Sequence, residues 1–201
     1  MKVVNSMRKR HWFMIGYFLV GVLLLVLTEI LKLPIIIGLG GIVLALSLVL
    51  IKNKEMKYIN SEMVYLVKEE GYSQAIDYLD KAKDACLVPV NYHSCIVTMV
   101  ICCIINDEFD KAKPYLEMNK YQNNKWLYYT RFVYAIYLND IKEAHRLHQL
   151  IQKSKVSNQN QKNATYRILR MIETGKYDEK LYGETTYPFL KRLCLKYKKE
   201  D

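Results

Sequence analysis

The sequence predicts an all-α protein: a two-helix transmembrane hairpin at the N-terminus, then a stack of antiparallel helical hairpins. Three observations lead there. Two apolar runs, 12–31 and 33–51, contain Glu29 as their only charge and are separated by Lys32. Beyond Lys52 the apolar residues recur at i, i+3, i+4 and i+7, the spacing of one helix face. Chain breakers are scarce, with four prolines and eight glycines in 201 residues, which favours helices over a turn-rich β architecture.

The hairpin comes first. Its runs of 20 and 19 residues are each long enough to cross a hydrocarbon core of roughly 30 Å at about 1.5 Å per residue. The linker Lys32-Leu33-Pro34 is short, so the two helices are expected to be antiparallel neighbours, with Pro34 suited to the first turn of the second. Lys2, Arg8, Lys9 and Arg10 precede the first run, and Lys52, Lys54 and Lys57 follow the second. This bias predicts a two-span cell-membrane protein with both termini in the cytoplasm. Gly38, Gly41 and Ala45 form a small-residue stripe for close helix packing, most simply against the first span of the same chain. Glu29, near the end of its run, is placed to pair with Lys32 at i+3.

Three segments follow from this reading: a basic arm over 1–11, the transmembrane hairpin over 12–51 and a cytoplasmic helical-repeat domain over 52–201. Within the last, helices are expected near 54–69, 73–85, 91–105, 108–118, 124–137, 140–153, 161–173 and 188–199. The apolar run from Leu87 to Ile105 is broken by Pro89, and its strongly apolar part is short. It reads as a central core helix and not as a third span. Asp107 and Asp140 stand where helix N-caps are wanted, and Ser154 to Asn163 reads as an exposed loop. The five cysteines show no paired spacing, which points to a reducing compartment.

The polar breaks are followed by similar text. Tyr72, Ala75 and Leu79 correspond to Phe109, Ala112 and Leu116, and more weakly to Ile141 and Ala144. The alanines lie 37 and then 32 residues apart, the period of a two-helix repeat. The small residue lets its helix approach a partner closely, and the larger one three positions earlier fills the space between hairpins. Gly71-Tyr72-x-x-Ala75-x-x-x-Leu79-x-x-Ala82 resembles the second helix of the tetratricopeptide repeat family. The Trp-x-x-Leu-Gly spacing of that family's first helices is absent here. The resemblance implies an α-solenoid whose concave face binds peptides or partner proteins.

No motif of phosphate-binding loops, hydrolases or zinc enzymes occurs, so the chain is expected to be non-enzymatic, with no catalytic residue, cofactor or metal. His145 and His148 have a ligand-like spacing but no acid or cysteine to complete a set. The net charge of +10 reads most simply as a solvated basic face, with the anionic inner leaflet as a second contact. Nothing resembling a nucleic-acid module accompanies it. The expected function is that of a membrane-anchored scaffold or adaptor that docks a protein or peptide. Tyr128, Tyr129 and Arg131 are the candidate partner-binding residues, in the segment richest in interface-type side chains. The competing reading of that segment puts Trp126 and one tyrosine in the core. The alternative function is a small accessory or immunity-type membrane protein acting through its hairpin on a transporter or pore.

Overall fold

The computed structural model describes residues 15–16, 18–23, 26–27, 30, 34–86 and 88–198, and these are helical or in short connections, without a strand among them. The helices are α1 (Pro34–Glu69), α2 (Tyr72–Asp84), α3 (Pro89–Ile105), α4 (Phe109–Leu116), α5 (Asn119–Gln122), α6 (Tyr128–Tyr137), α7 (Ile141–Lys153), α8 (Gln159–Thr174), α9 (Glu179–Glu184) and α10 (Pro188–Lys196). A 3-10 turn over Lys125–Leu127 leads into α6. The chain divides into two compact units, Met1–Ile96 and Val97–Asp201.

In the first unit, α1 is a single helix of 36 residues. Nothing in the sequence breaks it between Ile51 and Glu69, so the second apolar run and the expected helix over 54–69 are one element. Two turns of it face protein: Ile51, Glu55 and Ile59 are buried, as are Ala75, Ile76, Leu79 and Ala82 on the face of α2, which packs against α1. Asn91 of α3 is buried with Glu55, and its side-chain amide donates to the Glu55 carboxylate and to the Lys52 carbonyl.

The expected membrane placement is corrected here. Among the described residues, no helix is long and apolar enough to cross a membrane. The apolar half of α1 is not a separate element. It continues without a break into Lys52, Lys54, Glu55 and Lys57, and its junction is built into protein contacts at Ile51 and Glu55. The two-span localisation with cytoplasmic termini is therefore not retained. Much of the run 12–31, the arm 1–11 and Glu29 lie outside the described residues. The small-residue stripe is described in part. A Cβ on Gly41 would have nothing within 4 Å, Ala45 is exposed, and the side-chain surroundings of Gly38 lie outside the described residues. The close approach is at Gly21, where a Cβ would come within 2.6 Å of Leu44 Cδ2.

The second unit is built from packed helix pairs: α6 with α7, α7 with α8, α6 with α8, α8 with α9, and α9 with α10. Its fully buried side chains include Ile104, Leu127, Phe132, Leu147, Ile151, Ile168, Met171 and Leu190. The rings of Phe109 and Tyr137 stack at 3.9 Å, and Phe189 meets both edge-on. Two connections share one geometry. Asp107 and Asn139 adopt left-handed φ values of 61° and 58°. The next amides, Glu108 and Asp140, bond back to Cys103 and Ala135, closing helices α3 and α6 with the six-to-one bond of a Schellman end. Asp140 then caps its own helix, accepting from the Glu143 amide at 3.0 Å. Asp107 does not cap α4; the N-cap there is Glu108, without a side-chain bond.

Some boundaries differ from expectation. Helix α8 starts at Gln159, inside the expected loop, because Asn158 and Gln161 form a reciprocal capping box. Helix α9 is an addition; Asp178 caps it through the Leu181 amide at 2.8 Å. The central helix expected over 91–105 begins at Pro89, with Cys95, Ile96, Met99, Val100, Cys102, Cys103 and Ile104 buried.

Candidate functional site

The segment from Asn119 to Glu143 carries the groups that interface chemistry favours, and local structure decides which of them face outward. Asn124 accepts from the Trp126 amide at 3.0 Å and so fixes the 3-10 turn. A 3-10 turn rotates about 120° per residue where an α-helix rotates about 100°. The turn buries Leu127 and leaves Trp126 67% exposed. From Tyr128 the chain is α-helical, and every residue from 128 to 136 is buried except Arg131.

Tyr128 and Tyr129 are consequently core residues, at 8% and 9% exposure. The ring of Tyr129 packs edge-on against Tyr187 at 5.7 Å. Burial pushes its hydroxyl up to about 12, so it stays protonated. The structure thus separates the candidate residues: the two tyrosines are in the core, and Trp126, which the competing reading put there with one tyrosine, is the aromatic presented to solvent.

Arg131 points into a cleft of about 280 Å³. Leu116, Tyr134, Ala135 and Leu138 make its apolar side, and Glu117, Gln122, Arg131, Asp140 and Glu143 its polar side. The Arg131 guanidinium donates to the Gln122 carbonyl and, at 3.3 Å, to Glu143 Oε1. Burial lowers its pKa, and Glu143 opposes that shift. Glu143 also accepts from Arg146 at 2.6 and 2.7 Å, and that bond chiefly holds its carboxyl below the ordinary value. Arg131, Asp140 and Glu143 are each held by a partner, so the cleft carries a preorganised polar rim over an apolar floor.

A second cleft of about 420 Å³ is lined by Asn163, Tyr166, Arg167, Arg170, Asp178 and Lys180. Three cations face one carboxylate. Arg167 reaches Asp178 at 3.5 Å and Glu184 at 3.9 Å, and Lys180 reaches Glu184 at 3.7 Å, so the cations of this cleft are largely matched, with Arg170 adding to the basic side.

The residues of the expected repeat signature lie on three helices. Ala75, Ala112 and Ala144 are fully buried on α2, α4 and α7, Leu79, Phe109 and Leu116 are buried, and Tyr72 and Ile141 are half-buried. His145 and His148 face different partners: His145 lies 3.2 Å from Glu173, and His148 Nδ1 lies 2.8 Å from the Thr165 hydroxyl. Both contacts join α7 to α8. The signal missed in the sequence was Asn124, whose side chain is well suited to cap the turn that sends Trp126 outward. No family model matches the chain, and no curated protein or solved structure matches it.

Proposed function

We propose that the chain is a non-enzymatic docking protein whose helical repeats, tetratricopeptide-like in the register of α2, α4 and α7, engage an acidic segment of a partner protein. The observation that carries this reading is Trp126. A large aromatic that is 67% exposed on a capped, rigid turn has the anchor chemistry that dominates protein interfaces. It lies four residues beyond Gln122, which lines the cleft holding Arg131. The net charge of +10, with Arg170 beside the paired Arg167 and Lys180, favours an acidic partner and speeds its encounter.

The test places a photo-crosslinking residue at 126 in the full-length protein and, in parallel, at Tyr166, another exposed aromatic. Crosslinks from 126 should converge on one protein through an acidic segment, and that complex should weaken as salt rises. Crosslinks spread over unrelated proteins, or a complex indifferent to Trp126→Ala, would remove this reading.

A further inference from the structure

Two thiols in the first unit face each other. Cys86 follows the last turn of α2, and Cys95 lies in the second turn of α3, with their sulfurs 3.7 Å apart. Cys86 is half-buried, with its sulfur also 3.4 Å from the Ala82 carbonyl. Cys95 is buried behind it. The remaining cysteines, Cys102, Cys103 and Cys194, are buried, and burial pushes the thiols of Cys102 and Cys194 up to about 11. In the pair, one hydrogen bond works in opposite directions: it holds Cys95 below the usual thiol range and lifts Cys86 above it. Cys86 is thus the sulfur that a reagent reaches, and Cys95 stands directly behind it.

We propose that Cys86 and Cys95 form a redox-modification site that closes reversibly to an intramolecular disulfide by exchange with a low-molecular-weight disulfide, for which oxidised glutathione is the probe. In the first exchange the Cys86 sulfur forms a bond to one glutathione sulfur. The glutathione S–S bond breaks, and the departing sulfur takes the Cys86 proton. In the second, the Cys95 sulfur attacks Cys86, the bond from Cys86 to glutathione breaks, and the second glutathione leaves with the Cys95 proton. Two protein thiols are oxidised and one glutathione disulfide is reduced to two thiols. Closing from 3.7 Å to a bond of about 2.0 Å asks for a small approach of the turn after α2 toward α3. The bridge then clips that turn to the helix.

The experiment incubates the full-length protein in graded mixtures of reduced and oxidised glutathione, quenches with acid, and reads intact mass and peptide maps. The wild type should lose two hydrogens and yield a linked Cys86–Cys95 peptide, reversible with a dithiol and with helical circular dichroism retained. Cys95→Ala should accumulate a glutathione adduct at Cys86, about tenfold above wild type, because the resolving thiol is gone. Should Cys95→Ala fail to fold, Cys86→Ser serves in its place; it should show neither bridge nor adduct at the buried Cys95. A lasting adduct on the wild type, a bridge that prefers other cysteines, closure only with loss of helix, or no reaction would overturn the proposal.

Discussion

Asp107 accepts a hydrogen bond at 3.0 Å from the backbone amide of Phe189, 82 residues further along the chain. Its other carboxylate oxygen meets Arg192 at 2.7 Å. Pro188 opens α10, so the Phe189 amide is one of the donors that a helix start leaves unsatisfied. The left-handed φ of 61° at Asp107 ends α3 and turns its carboxylate away from α4, toward α10. One residue thus ends one helix and caps another.

Asp107→Ala should therefore destabilise the protein by about 1–2 kcal/mol, the loss of a cap. Arg192→Ala should cost less than about 0.5 kcal/mol, since Arg192 is largely exposed and exposed ion pairs contribute little. Denaturant midpoints of the two variants check this. Equal losses would mean that the ion pair, and not the cap, fixes α10.

The buried alanines give a second expectation. Ala112→Leu and Ala144→Leu should each cost about 1–3 kcal/mol, because both sites are fully packed. Ala45→Leu, at an exposed position, should leave the thermal midpoint nearly unchanged. If the core variants unfold at the wild-type midpoint, the repeat register is wrong.

These alanines also show what the sequence made legible. Their burial follows from helical spacing alone, and the breaks at Asn106-Asp107 and Asn139-Asp140 mark real helix ends. What spacing does not encode is the neighbour that a side chain meets. Asp107 looked like a local cap, and only the tertiary approach of α10 reveals its distant partner. Trp126 and Tyr128 carry the same interface chemistry in sequence; two positions apart they lie on opposite faces, and only the packing decides that Trp126 is the one facing out. The two-span localisation is corrected on a related point: among the described residues no helix is long and apolar enough to cross a membrane. Apolar length was read as if Ile51 ended an element, whereas α1 runs on into charged turns, and Glu55 there is buried against Asn91.

Acid sensitivity should reveal His148. Burial, and secondarily His145, lowers its pKa. The folded protein therefore binds fewer protons at this site than the unfolded chain does, just below the unperturbed value of about 6.5. Stability should fall as pH drops from about 6.5 through the folded value, then level off below it. His148→Gln should flatten that part of the profile in urea unfolding followed from neutral to mildly acidic pH. A variant whose slope matches wild type across the window would show that other groups govern it.

The docking claim rests most directly on the affinity of full-length Trp126→Ala for the acidic partner identified from position 126, measured by titration at fixed, low salt. The account predicts a loss of at least about 2 kcal/mol, or about thirtyfold in Kd, with the unfolding midpoint unchanged because this ring is exposed. An unchanged Kd, or a loss of binding that tracks a loss of stability, would contradict it.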